Sequence, residues 1–252
     1  MFASLPMYDR PENAAAHDRL WAGIRDALRA RGVAAPEALD RGTGYMEGWA
    51  RPDLVLGQIC NLPYRARFRD RLTLIGAADY GLEGAPAGCY YSLFVVRADD
   101  GATDPAGCAG ARFAYNEGLS NSGWGAPQAW AQARGFAFAA SLRTGVHVES
   151  VRAVAEGRAD IAAIDAVTWA MLLRWEPAAR ALRVIGRTEA TPGQSFVTAQ
   201  GRDPAPYRAA IAEAIAGLSP DDSAMLGLRG IVALPRSAYD LPIPALPEAS
   251  AT

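Results

Sequence analysis

Arg112-Phe-Ala-Tyr-Asn-Glu-Gly-Leu-Ser-Asn-Ser-Gly-Trp-Gly-Ala-Pro-Gln-Ala-Trp-Ala-Gln-Ala-Arg134 is the stretch on which the reading of the whole chain turns. Its first four residues, Arg112 to Tyr115, mix apolar and aromatic side chains and read as a short strand. A polar turn follows from Asn116 to Ser122. From Gly123 an Ala-rich segment carries Trp124, Trp130 and Phe136 into a helix. Ser120, Asn121 and Ser122 therefore stand where a helix begins, with hydroxyl and amide groups suited to capping. The backbone N–H groups of a first helical turn lack intrahelical acceptors, and the dipole is positive at that end, so such a start also suits an anion. Taken alone, the segment reads more readily as an ordinary cap than as an anion site.

Outward from this stretch, short apolar strands alternate with helices. On the N-terminal side, Phe2–Met7 reads as a strand, Glu12–Arg31 as an amphipathic helix stopped by Gly32, and Asp53–Leu56 and Leu72–Ala77 as strands. Arg41–Trp49 and Gly57–Pro63 read as loops, and Cys89–Arg97 as one strong strand. On the C-terminal side, Gly145–Glu156 and Val167–Trp175 read as helices, and Ala159–Ile164 and Leu182–Ile185 as strands. Phe196–Ala199 is a further strand and Pro204–Leu218 a helix, before a Pro-rich, irregular tail from Leu234. This alternation predicts an α/β protein with mostly parallel sheets. A Gly- and Pro-rich change of composition at Gly84–Gly88, and a return near Arg187–Gly193, predict two lobes. Residues 1–85 with 190–252 would form the first, and residues 86–189 the second, with two chain crossings between them.

Composition narrows the function. The 252 residues carry 25 basic and 27 acidic side chains, a net charge of −2, which gives no support for a nucleic-acid partner. Every basic residue is Arg, so chemistry that needs a Lys, such as a Schiff base or a P-loop, is excluded. No apolar run approaches the roughly 18 residues of a membrane span. Three cysteines and two histidines without metal-type spacing argue against a structural zinc site. No metal or cofactor is expected.

Two further positions carry chemistry. His147 opens a helix, where the positive dipole end favours a neutral ring that still donates from one nitrogen. Asp165 ends an apolar strand, where α/β folds place ligand contacts, and it also suits the N-cap of the next helix. An oxyanion that carries a proton would satisfy both the helix-start donors and this carboxylate. A fully ionised sulfate would leave Asp165 facing like charge.

The ordered set Tyr8, Gly57-Gln-x-Cys-x-x-Pro63, Gly88-Cys-Tyr-Tyr-Ser-x-x-Val-Val-Arg97, Asn116-x-x-x-Ser-Asn-Ser-Gly123, Gly145-x-His147 and Ala159-Asp-Ile-Ala-Ala-Ile-Asp165 resembles the PhnD-like phosphate/phosphonate-binding proteins of ABC transporters. The resemblance implies a two-lobed type II periplasmic-binding-protein fold that closes on a small oxyanion, without enzymatic activity. It implies that Ser120, Asn121, Ser122, His147 and Asp165 bind the ligand, joined by the aromatics Tyr90, Tyr45 and Tyr8. The expected partners are a phosphorus oxyanion and an ABC permease, the protein itself being a monomer. Asn121 departs from the family's Ser-Thr-Ser pattern, and Asn61 replaces its usual Gly. Cys60 and Cys89 fall in family-like motifs, which suggests a disulfide between them. The family is periplasmic, yet Met1–Tyr8 is too short and lacks the basic start of a secretory signal, which leaves a cytoplasmic location open. Two other readings stay open: an enzyme on the same fold using His147 and Asp165, and a cytoplasmic ligand sensor.

Overall fold

The computed structural model describes residues 1–247. In chain order the elements are β1 (Phe2–Ser4), α1 (Ala14–Ala30), α2 (Tyr45–Ala50), β2 (Leu54–Ile59), α3 (Asn61–Pro63, continued by a π-helical turn Tyr64–Phe68) and β3 (Leu72–Asp79). Next come β4 (Cys89–Tyr90), β5 (Ser92–Arg97), β6 (Phe113–Tyr115), α4 (Ala126–Gln132, entered through a π-helical turn Asn121–Gly125), β7 (Ala140–Arg143), α5 (His147–Ala155), β8 (Ile161–Asp165), α6 (Ala166–Trp175) and β9 (Leu182–Arg187). The last are β10 (Thr191–Pro192), β11 (Ser195–Ala199), α7 (Ala205–Ala216), α8 (Pro220–Leu226) and β12 (Gly230–Val232).

The chain divides into two compact units, one of Met1–Cys89 with Pro192–Asp240, the other of Tyr90–Thr191 with the segment from Leu241. The last point differs from the sequence reading, which left the tail with the first lobe. Its cause is local to the second unit: Trp124 Nε1 donates to the Ala245 carbonyl at 2.9 Å, and the Pro247 ring lies against Gly118. The final residues of that tail lie outside the described residues.

In the first unit five strands run in the order β1-β2-β11-β3-β12. β1 and β2 are parallel, but β11 pairs antiparallel with both β2 and β3, and β12 is antiparallel to β3. The second unit holds the order β7-β6-β8-β5-β9, with β6 parallel to β7 and β8, and β5 antiparallel to β8 and β9. The expectation of mostly parallel sheets is therefore corrected to two mixed sheets. Strands delivered by the returning chain insert antiparallel between earlier ones, a pairing that strand composition alone does not encode.

Each unit has its own core. In the first, α1 lays Leu20, Trp21, Ile24 and Leu28 against sheet residues Leu56, Ile75 and Phe196 and against Ile211 of α7. This is the apolar stripe of an amphipathic helix, and Gly32 ends it at φ +75°, a left-handed value that suits glycine. In the second, one sheet face buries Val95, Ala162, Ile164, Val151 and Leu172. The other buries Phe94, Phe113, Trp124, Trp130 and Phe138, with Phe113 and Phe138 stacked at 4.7 Å. The core strand β8 is buried along all five residues, so its last residue, Asp165, reaches the sheet end as a buried carboxylate.

Local differences from the sequence reading are small and have physical causes. Arg41–Trp49, read as a loop, contains α2, whose Trp49 is anchored by Nε1 donating to the Gln58 carbonyl at 3.0 Å. The loop read at Gly57–Pro63 is split between the end of β2 and the start of α3. Cys89–Arg97 is interrupted at Tyr91, so that Cys89–Tyr90 pairs with β10 and the rest joins the second sheet. β7 and β12 had no clear periodicity. All three cysteines are free thiols, so the suggested Cys60–Cys89 disulfide is absent.

Candidate functional site

The site forms within the second unit around the turn that leaves β6. Ser120 is the N-cap of the π-helical turn: its backbone is extended at φ −75°, ψ 125°, and its Oγ accepts from the Gly123 amide at 3.1 Å. The amides of Trp124 and Gly125 both donate to the Ser120 carbonyl, at 3.1 and 2.9 Å. This geometry gives the amide of Ser122 no intrahelical acceptor, as at any helix start. A Cβ built at Gly123 would lie 1.9 Å from Asn116 Oδ1, so any side chain there obliges Asn116 to move. The turn thus packs directly on the loop that precedes it.

His147 is brought to this turn by backbone bonds. The Thr144 amide donates to the Tyr115 carbonyl at 2.9 Å, and the Gly145 amide to the Asn116 carbonyl at 2.8 Å. Gly145 sits at φ +83°, which favours glycine, and the chain then enters α5 at His147. Thr144 Oγ1 and Ser150 Oγ lie 2.6 Å apart and lock the entry to α5. In consequence His147 Nε2 lies 2.8 Å from Ser122 Oγ and 3.6 Å from Asp165 Oδ2. Ser122 Oγ is in turn 3.3 Å from Ser120 Oγ.

Asp165 is the N-cap of α6, as its position after an apolar strand suggests. Its Oδ1 accepts from the Thr168 amide at 2.8 Å and its Oδ2 from Thr168 Oγ1 at 2.5 Å. Capping and proximity to His147 are therefore combined in one carboxylate, which is 2% exposed.

The chemistry of the imidazole follows from its surroundings. Burial holds its pKa below the ordinary value, with Asp165 pulling in the opposite direction, so the ring is neutral near pH 7. Among the described residues Nδ1 is buried without a hydrogen-bond partner. A proton there would be an unmet donor, whereas a bare lone pair is the cheaper vacancy, so the proton belongs on Nε2. Nε2–H then donates to Ser122 Oγ, and the Ser122 hydroxyl directs its own proton away from the ring. The result is a line of hydroxyl donors at a helix start.

Six of the expected site residues, Tyr90, Ser120, Asn121, Ser122, His147 and Asp165, lie in this unit and are linked by short contacts. Asn121 is 1% exposed, and its Nδ2 reaches Tyr90 Oη at 3.2 Å and Thr191 Oγ1 at 3.1 Å. The other two belong to the first unit. Tyr8 is buried edge-on against Tyr80, with centroids 5.0 Å apart, while Tyr45 opens α2 and is 51% exposed. Sequence reasoning missed Thr191, Thr168 and Thr144. Only Thr168, three residues after a capping Asp, had a local signal. Among the described residues no group of three His, Cys, Asp or Glu side chains is placed to hold a metal, and no helix is long and apolar enough to cross a membrane.

Two α/β units joined by repeated passages of the chain are the organisation of the two-lobed type II periplasmic binding proteins, whose fold this chain shares. Residues 4–236 match the family of ABC-transporter phosphonate periplasmic substrate-binding proteins, and the chain belongs to that family. It is thus by descent a substrate-binding component of a phosphonate ABC transporter. Solved structures share the fold at low identity. PhnD1 of Prochlorococcus marinus, in complex with methylphosphonate, is 17% identical with a TM-score of 0.68 over 94% of each chain. XAC2383 of Xanthomonas citri, bound to ATP, is 16% identical with a TM-score of 0.67, covering 95% of this chain and 93% of its own. A binding-protein component of an ABC phosphonate transporter from Pseudomonas aeruginosa is 18% identical, with a TM-score of 0.65, covering 93% of this chain and 81% of its own. No curated protein matches the chain in sequence.

Proposed function

We propose that the protein captures a small phosphorus oxyanion (phosphate, phosphite or a phosphonate) at the Ser120–Ser122 helix start and delivers it to an ABC permease, without transforming it. The observation that carries this reading is the line Ser120 Oγ, Ser122 Oγ, His147 Nε2, with spacings of 3.3 and 2.8 Å. A neutral imidazole orients hydroxyl donors toward an acceptor-rich ligand, and the helix dipole adds a favourable field. Asp165, buried beside the ring, accepts a hydrogen bond from a protonated oxyanion and disfavours a fully ionised one. Tyr90 belongs to the same wall, while Tyr8 and Tyr45 lie in the first unit. A non-enzymatic role fits a histidine whose ring is committed to Ser122. The match to a family of periplasmic substrate-binding proteins supports a periplasmic location.

Calorimetric titration against phosphate, phosphite, methylphosphonate, 2-aminoethylphosphonate and sulfate tests the proposal. Saturable binding of a phosphorus oxyanion with sulfate rejected is expected. Silence across all five would remove the reading.

A further inference from the structure

Asn121 stands between two hydroxyls that the binding reading does not by itself explain. Its side-chain nitrogen lies 3.2 Å from Tyr90 Oη in β4 and 3.1 Å from Thr191 Oγ1 in β10, and those two short strands pair with each other. A carboxamide NH2 has two protons, so one residue engages both strands at once. Asn121 is 1% exposed and Tyr90 3% exposed, so the bond between them is shielded from bulk water, while the bond to Thr191 is partly buried.

We infer that Asn121 is a positioning residue that, anchored on Tyr90, turns the hydroxyl of Thr191 into an oriented donor for the ligand, which makes Thr191 a further residue of the site. The reasoning is one of proton counting. A hydroxyl both donates and accepts, and in isolation either role serves. When its oxygen accepts from the Asn121 amide, its own proton turns away from that nitrogen and is presented elsewhere. The same logic sets Ser122, whose oxygen accepts from His147 Nε2–H. The middle position of Ser120-Asn121-Ser122 thus acts through Thr191. Its departure from the family's central Thr supplies a reach that a shorter side chain lacks. A wall of donors fixed before binding favours acceptor-rich groups.

This inference rests on the oxyanion reading, and its test separates the two. In ligand-free protein, the side-chain amide resonances of Asn121, identified by their loss in Asn121→Leu, are expected to shift in both Tyr90→Phe and Thr191→Val. No shift in either variant overturns the clasp, whatever the protein binds. Titration with phosphite and methylphosphonate is expected to show Asn121→Leu weakened at least tenfold and Thr191→Val about threefold to tenfold. Thr191→Ser should return to within twofold of wild type, and Thr191→Val should cost nothing further in the Asn121→Leu background. Asn121→Asp keeps the size but accepts protons from both hydroxyls, so it should bind as weakly as Asn121→Leu. Unfolding midpoints close to wild type for Thr191→Val and Thr191→Ser separate positioning from folding. Additive losses, or Asn121→Leu within twofold of wild type, overturn the positioning role. Wild-type silence toward every oxyanion overturns the functional reading instead, and the amide resonances then decide the clasp alone.

Discussion

Ser122 Oγ and His147 Nε2 lie 2.8 Å apart although 25 residues separate them, and each is the first-turn residue of a different helix. Two helix starts therefore converge on one point. Because His147 is neutral and donates to the serine, the pair supplies hydrogen-bond polarity without adding a fixed charge.

Replacing His147 by Ala removes the donor that orients Ser122. Hydrogen bonds to charged groups contribute about 1.5–3 kcal/mol, so oxyanion affinity is expected to fall roughly tenfold to a hundredfold or more. Calorimetry with phosphite or methylphosphonate measures this directly. Affinity within twofold of wild type would exclude His147 from the site.

Asp165→Asn keeps the shape of the α6 cap but removes the negative charge beside His147. Sulfate, which wild type is expected to reject, should then bind, because the proposed discrimination depends on like charge rather than on size. Asp165→Ala should in addition lower stability by about 1–2 kcal/mol through loss of the cap to Thr168. Sulfate still excluded by Asp165→Asn would assign the selectivity elsewhere.

Both histidines are buried, His147 beside Asp165 and His17 in the first unit with Nδ1 3.8 Å from Asp9 Oδ1. In each, burial is the leading cause of a pKa below the ordinary value, and the neighbouring carboxylate opposes it. A depressed folded-state pKa means that the unfolded chain takes up the proton first. The stability tied to the neutral rings is thus complete above the unfolded value of about 6.5 and is lost as pH falls from there toward the folded values. Urea unfolding between pH 7 and pH 5 should show declining stability. His147→Gln and His17→Gln should each flatten the slope, and an unchanged slope in both would refute the assignment.

Gly123→Ala places a methyl group where Asn116 Oδ1 stands, at 1.9 Å. Overpacking of this kind costs about 1–3 kcal/mol, and here it also displaces the turn that carries Ser120 and Ser122. The variant should unfold earlier and lose oxyanion affinity. Asn116→Ala combined with it should recover most of both losses; failure to recover either would show that the clash is not the cause.

Much of this was legible in local sequence. The polar run Asn116–Ser122 before an Ala-rich segment marks a helix start, because Ser and Asn side chains compete for first-turn amides. The stripe of Leu20, Ile24, Ala27 and Leu28 marks α1 by its period, and Asp165 after an all-apolar strand marks a strand end and a cap. These signals lie within a few residues of one another, where sequence spacing and spatial distance coincide. The antiparallel insertion of β11 and the docking of 241–247 on Trp124 had no such signature. Each joins residues far apart along the chain, through backbone groups that every residue type possesses.

The sequence by itself determined that two α/β units would form, that a helix would start at Ser120–Ser122 with donors suited to an anion, and that His147 and Asp165 would stand at element ends. Periodicity, caps and turn residues act over one or two turns of chain, and they are written in order along it. Long-range packing, by contrast, brought Ser122 to His147, set Asn121 across Tyr90 and Thr191, and left Cys60 and Cys89 as thiols. Those outcomes depend on strand order and register, which are settled by how whole faces bury one another rather than by any single residue's preference.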